Sequence, residues 1–152
     1  MFLGVTSLNL DAKGRLQIPA KHRERLRDAS GSRLIITIDP REKCLWLYPE
    51  SEWREIERKL AKLPTMKGSN QMLQRLLLGH AQEVDMDSQG RILVSADLRD
   101  YAGLGKRVSM VGEGHKFEIW SEESWTAKRE EWLKQASDSD SDLSEELQNL
   151  VL

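Results

Sequence analysis

The stretch at residues 10–20, LDAKGRLQIPA, returns at residues 86–96 as MDSQGRILVSA, so the chain carries the pattern D-x-x-G-R twice at an offset of 76 residues. The correspondence continues to Arg23 and Arg99 at the same offset. It then contracts by four residues and resumes at an offset of 72, with Leu45, Leu47, Tyr48 and Trp53 against Phe117, Ile119, Trp120 and Trp125. A duplication of this kind implies a two-fold architecture. Two copies are too few for a solenoid, which needs about three repeats to bury a continuous core. A copy of about 50 residues buries little apolar surface by itself, so the halves are expected to share one core.

Within each copy the apolar pattern gives the same order of elements. Leu8 and Leu10, then Leu16 and Ile18, alternate with polar residues about the turn-like Asp11-Ala12-Lys13-Gly14. This is the pattern of a β-hairpin with one buried face, from which Arg15 and Gln17 point away. Pro19 suits the first position of a short helix from Ala20 to about Arg27, and Ser95 with Asp97 offers the matching entry in the second copy. Strands are expected over 34–38 and 44–48 in the first half and over 107–111 and 116–120 in the second. Each repeat thus reads β-β-α-β-β and is closed by a helix with an apolar stripe: Trp53, Ile56, Leu60 and Leu63 in one, Trp125, Trp132 and Leu133 in the other. A connector helix over 72–78, capped by Ser69 or Asn70, separates the repeats. After the acidic run 137–142, Asp142 or Ser144 can cap a terminal helix with Leu143, Leu147, Leu150 and Val151 on one face. A helix of about ten residues is marginal alone and needs a docking surface, which a neighbouring subunit could supply. The expected division is a first repeat at 1–63, a helical connector at 64–82, a second repeat at 83–135, and an acidic linker with an amphipathic helix at 136–152.

The formal net charge of −2 hides a polarity along the chain. Residues 1–33 hold seven basic and three acidic side chains, a local +4, whereas residues 121–152 hold nine acids against three bases. Residues 84–107 hold four of each. Only the first copy is electrostatically suited to phosphate. No apolar run approaches the roughly 18 residues that span a bilayer, and the start lacks a signal-peptide pattern. A cytoplasmic location without membrane attachment is expected. Cys44 lies within the apolar run 44–48 and is expected to be a buried structural thiol.

The motif D-x-x-G-R sets an Arg directly after a Gly turn with an Asp four residues before it. As architecture this is a salt bridge across a turn, worth about 0–1 kcal/mol if exposed. As recognition, the Asp holds a guanidinium whose planar fork pairs with guanine O6 and N7 or with phosphate. Duplication is compatible with both readings.

Over its whole length the sequence resembles the MraZ family. The resemblance is carried by the start MFLG, by LDAKGRL with Pro19, by QRLLLGHA at 74–81, by KFEIW at 116–120 and by the DLSE that opens the terminal segment. It implies an α+β fold in which two pseudo-symmetric AbrB-like β-β-α-β-β repeats form one swapped-hairpin β-barrel with peripheral helices. It also implies a ring-shaped homo-oligomer, cytoplasmic and nucleoid-associated, that binds double-stranded promoter DNA. Its expected role is a repressor of the division and cell-wall gene cluster, including its own operon. The DNA-contacting positions carried over are Lys13 and Arg15 in the first copy and Arg91 in the second, with Arg23 and Gln89 beside them. The second copy departs from the pattern: Gln89 replaces the Lys at position 13, and Asp97 and Asp100 flank Arg99. The first copy is therefore expected to be the main reader.

Magnitudes favour an oligomer. One bidentate Arg–guanine pair gives roughly 1–3 kcal/mol of discrimination, whereas specific binding exceeds non-specific binding by about 4–10 kcal/mol. Several hairpins on a ring can close that gap through effective concentration. Catalysis is not expected. His22, His80 and His115 are far apart in sequence, and no C-x-x-C, H-E-x-x-H, P-loop or G-x-S-x-G motif occurs, so neither a small-molecule substrate nor a cofactor is implied. The competing reading is a protein-binding ring scaffold without specific DNA readout, its surface made by the acidic tail or the Trp-rich faces. An AbrB-type antitoxin ranks lower, because the resemblance runs through both repeats and the tail.

Overall fold

The computed structural model describes residues 1–138 and 144–150. In chain order the elements are β1 (Val5–Asn9), β2 (Arg15–Gln17), α1 (Ala20–Ser30), β3 (Arg33–Ile38), β4 (Leu45–Pro49), α2 (Glu50–Ala61), α3 (Gly68–Gly79), β5 (Gln82–Asp85), β6 (Arg91–Leu93), α4 (Ala96–Ala102), β7 (Arg107–Gly112), β8 (Phe117–Ser121), α5 (Glu122–Asp138) and α6 (Glu145–Gln148). This is a mixed α+β chain whose strands pair antiparallel throughout. It divides into two units, Met1–Glu122 and Glu123–Leu152.

The first unit holds a six-stranded sheet in the order β1-β7-β8-β4-β3-β5 and a two-stranded ribbon of β2 with β6. The hairpins β3–β4 and β7–β8 form as their alternation implies, and they meet at the β4–β8 pair in the middle of the sheet. The outer strand on each side comes from the other copy: β1 lies on β7, and β5 on β3.

This exchange corrects the reading of residues 8–18 as a simple hairpin. The turn closes, with a bridge between Leu10 and Leu16, but its arms then part, β1 going to β7 and β2 to β6. The reason is burial. Pairing β2 with β6 sets Leu16 directly opposite Ile92, and both are removed from solvent. Each strand is also caught at its end by the other copy, Ile18 N–H donating to Gly90 O and Val94 N–H to Gly14 O, both at 2.8 Å. Among the described residues the strands do not close into the expected barrel, because β2 and β6 are occupied with each other and the larger sheet ends at β1 and β5.

One core serves both copies, as the duplication requires. Leu16, Ile18, Leu34, Ile36 and Leu47 cluster with Ile92, Val94, Val108, Phe117 and Ile119. Fully burying each such side chain contributes about 1.5–3 kcal/mol, and half of the partners come from the other repeat. A smaller cluster of Ile35, Tyr48 and Trp53 sits under α2.

Several helix boundaries differ from the sequence reading. Pro19 flanks α1 as its N-cap, with ψ of 140°, rather than forming its first residue. The helix runs on to Ser30, where Gly31 at φ +65° stops it. Ser95 caps α4 by accepting Leu98 N–H. α3 begins at Gly68, ahead of both expected caps, and the Asn70 amide instead donates to Pro64 O at 2.9 Å. α2 ends before Leu63.

In the second unit α5 buries no residue. The Trp125 and Trp132 rings lie 6.0 Å apart, and the anticipated packing face leaves Leu133 half exposed. Ser144 caps α6, accepting Leu147 N–H at 3.2 Å; Asp142, Leu143 and Val151 lie outside the described residues. Among the described residues no helix is long and apolar enough to cross a membrane.

Candidate nucleic-acid interface

The two D-x-x-G-R turns are built alike. Asp11 Oδ1 accepts the backbone N–H of Lys13 at 2.9 Å and of Arg15 at 2.8 Å, while Oδ2 takes Arg15 Nε at 2.7 Å. Asp87 receives Gln89 N–H, Arg91 N–H and Arg91 Nε, each at 2.9 Å. Asp serves here because its short carboxylate can satisfy its own turn two and four residues on. The Arg15 and Arg91 backbone N–H groups, followed by their guanidinium groups, hold the Asp11 and Asp87 carboxyls below the usual carboxylate range. Gly14 at φ +85° and Gly90 at φ +79° complete the turns. A Cβ on Gly14 would lie 2.8 Å from Val94 O, and one on Gly90 would run into the Arg23 side chain.

Each Asp takes the Nε edge of its Arg. Nη1 and Nη2 of Arg15 and Arg91 are then left without a partner among the described residues. That end of a guanidinium is the fork that meets two acceptors at once. The Arg15 side chain is 36% exposed and that of Arg91 29%.

Pairing of β2 with β6 brings these arginines onto one surface. In the register Arg15 stands opposite Leu93, and Gln17 opposite Arg91. Since strand side chains alternate and Leu16 and Ile92 point into the core, the outer face carries Arg15, Gln17, Arg91 and Leu93. The arginines sit on a diagonal, about 7–8 Å apart at their origins. Lys13 and Gln89 are exposed at the two turns.

Arg23 is placed differently from the other candidates. It is half-buried, and its Nε donates to Ile18 O at 2.8 Å while its guanidinium lies over Gly90. Arg99 repeats this arrangement with Val94 O at 3.1 Å and Gly14. Gln17 and Leu93 lie outside the D-x-x-G-R motif, but each stands two residues after its Arg, the spacing that shares a strand face. A cleft beside the first turn, lined by Asp11, Ala12, Arg99 and Lys106 among others, sets Lys106, which no motif marked, on the same cleft as Arg99.

Away from this face, Asp39, Cys44 and Glu118 bring one ligand atom each to within 4.8 Å of one another. Asp39 closes its own loop by accepting Arg41 and Glu42 N–H, and the buried Cys44 thiol faces its other oxygen at 3.7 Å. Burial, reinforced by Glu118 and Asp39, pushes the thiol far up, a setting for an inert structural thiol. The three histidines serve separate places: His22 packs on Phe2 and Phe117, His80 lies 2.8 Å from Leu76 O, and His115 faces Tyr48.

Comparison with known proteins matches one family model twice, at residues 1–76 and 77–150, with the description "MraZ protein, putative antitoxin-like". Among similar proteins, one from Halorhodospira halophila is 51% identical over 152 residues, covering all of both chains. One from Thioalkalivibrio sulfidiphilus is 50% identical over 139 residues, 91% of this chain and 92% of that one. One from Coxiella burnetii is 45% identical over 152 residues, again covering both chains fully. All three carry the name "Transcriptional regulator MraZ".

Proposed function

The chain belongs to the MraZ family, and we propose that it is a sequence-specific DNA-binding transcriptional regulator. The observation that carries this reading is the pair of Asp-held arginines, Arg15 and Arg91, displayed on one face of the β2–β6 ribbon. A two-stranded ribbon fits the major groove, about 12 Å wide, and an end-on Arg pairs with guanine O6 and N7. An origin separation of about 7–8 Å, against a rise of about 3.4 Å per base pair, sets the two arginines roughly two base pairs apart. Lys13, at the basic end, supplies phosphate contact, and Gln89 offers a neutral amide at the other. Arg23 contributes from behind, holding the end of β2 against the second turn.

The protein acts in the cytoplasm, on the nucleoid, as a repressor of the division and cell-wall gene cluster and its own operon. It assembles as a ring whose hairpins meet repeated promoter elements, and it works as a binder rather than an enzyme. Strand exchange between the copies supports the AbrB-like swapped-hairpin relation. The proposed layout is a first repeat at 1–63, a connector at 64–82, a second repeat at 83–135 and a tail at 136–152. The test is footprinting on the DNA upstream of its own gene, with assembly size measured in parallel. Protected elements repeating at a fixed spacing, and lost in Arg15→Ala without a change of assembly, are expected. A wild-type protein that assembles but protects nothing would favour the protein-scaffold reading.

A further inference from the structure

Resting on the reading of the β2–β6 ribbon as the DNA-contacting surface, we propose that Leu93 is a specificity-determining residue. It packs against the 5-methyl group of a thymine beside the guanine met by Arg15. Leu93 is 57% exposed, although its neighbours Ile92 and Val94 are buried at 1% and 0%. It shares the outer face with Arg15, Gln17 and Arg91 and stands directly opposite Arg15.

The duplication makes this exposure informative. The position matching Leu93 at the offset of 76 is Gln17, whose amide donates to Gln89 O at 2.7 Å and so ties down the second turn. A leucine cannot make that bond, so the structural task performed by Gln17 has no counterpart in Leu93. What the position offers is an aliphatic surface beside a cation.

The major groove presents acceptors and donors at every base pair but only one apolar group, the thymine methyl. Directly opposed residues on a ribbon originate about 4.5–5.5 Å apart, which is between one and two base-pair steps of roughly 3.4 Å. Leu93 therefore reaches a base next to the one that Arg15 meets. Arg91 has the amide of Gln17 as its cross-strand neighbour instead. The two ends of one ribbon consequently ask for different bases, and the site read by each subunit is asymmetric.

The test uses the wild-type protein first. Its preferred site is selected from random duplexes, the guanine that depends on Arg15 is identified with Arg15→Ala, and each thymine is then replaced singly by deoxyuridine, which removes only the methyl. The expected result is a roughly four-fold weaker affinity, the factor for burying one methyl-sized group, at one thymine adjacent to that guanine. Leu93→Ala should abolish this sensitivity, and Leu93→Gln should shift the selected base away from thymine. A defined site with no uracil-sensitive thymine, or a sensitivity that survives Leu93→Ala, would overturn the role of Leu93 while leaving the DNA-binding reading intact. Altered assembly in Leu93→Ala without any uracil effect in the wild type would likewise overturn it and make Leu93 a subunit contact. Selection of no site by the wild type would defeat the functional reading and this inference together.

Discussion

Asp11 and Asp87 do structural work first, each satisfying two backbone N–H groups before orienting an Arg. Their carboxyls are held below the ordinary value of about 3.9. Their contribution is therefore present above that pH and lost as pH falls through the lower folded value. Glu118 behaves in the opposite sense. Burial, with Glu113 and Asp39 nearby, pushes it from 4.5 up to about 7, partly offset by the Trp120 indole donating to Oε1. The protonated form thus favours the fold, and stability is lost as pH rises through about 7. Glu118→Gln, which keeps the acceptor for Trp120, is predicted to raise the thermal midpoint at pH 8 more than at pH 5. An unchanged pH dependence would contradict this. Gly14→Ala is predicted to cost about 1–3 kcal/mol in denaturant unfolding, since it combines a positive φ with a clash on Val94 O. The Asp, Gly and Arg of each turn were legible in the sequence because the bonds from the Asp carboxylate that shape it fall within five residues. The packing of Arg23 over Gly90 was not, because it joins residues from different copies.

At the scale of elements, the hairpins β3–β4 and β7–β8 could be read directly, their partners being adjacent in the chain. The partners of β1, β2, β5 and β6 could not, because alternation reveals which face of a strand is buried but not which strand lies beside it. The same limit hid the outer face of the ribbon, where Leu93 looks like any apolar strand residue until its register with Arg15 is known. Exchange has a direct consequence for folding. A chain ending at residue 76 retains β3 and β4 but loses β5, β6, β7 and β8, the cross-copy partners of its strands. Either half alone is predicted to lack cooperative unfolding and slow amide exchange, and mixing residues 1–76 with 77–152 is predicted to restore both. A first half that folds cooperatively alone would show that exchange is not required. Ser95→Ala is predicted to cost about 1 kcal/mol through loss of the α4 cap, detectable as a shift of the denaturation midpoint at constant slope.

The molecule as a whole carries two unequal copies of one turn. The first copy concentrates positive charge about Lys13 and Arg15, and the second repeats the geometry with Gln89 and without the excess charge. The most direct measurement of the central claim is therefore a salt series of affinity for DNA upstream of its own gene, comparing wild type with Lys13→Ala and Arg15→Ala. Wild-type affinity should fall linearly in logarithmic coordinates as salt rises. Lys13→Ala should reduce that slope by about 1 across all sequences, and Arg15→Ala should erase the preference for the specific site while assembly stays unchanged. Equal affinity and equal sequence preference in wild type and Arg15→Ala would contradict the account, reducing both D-x-x-G-R turns to architecture.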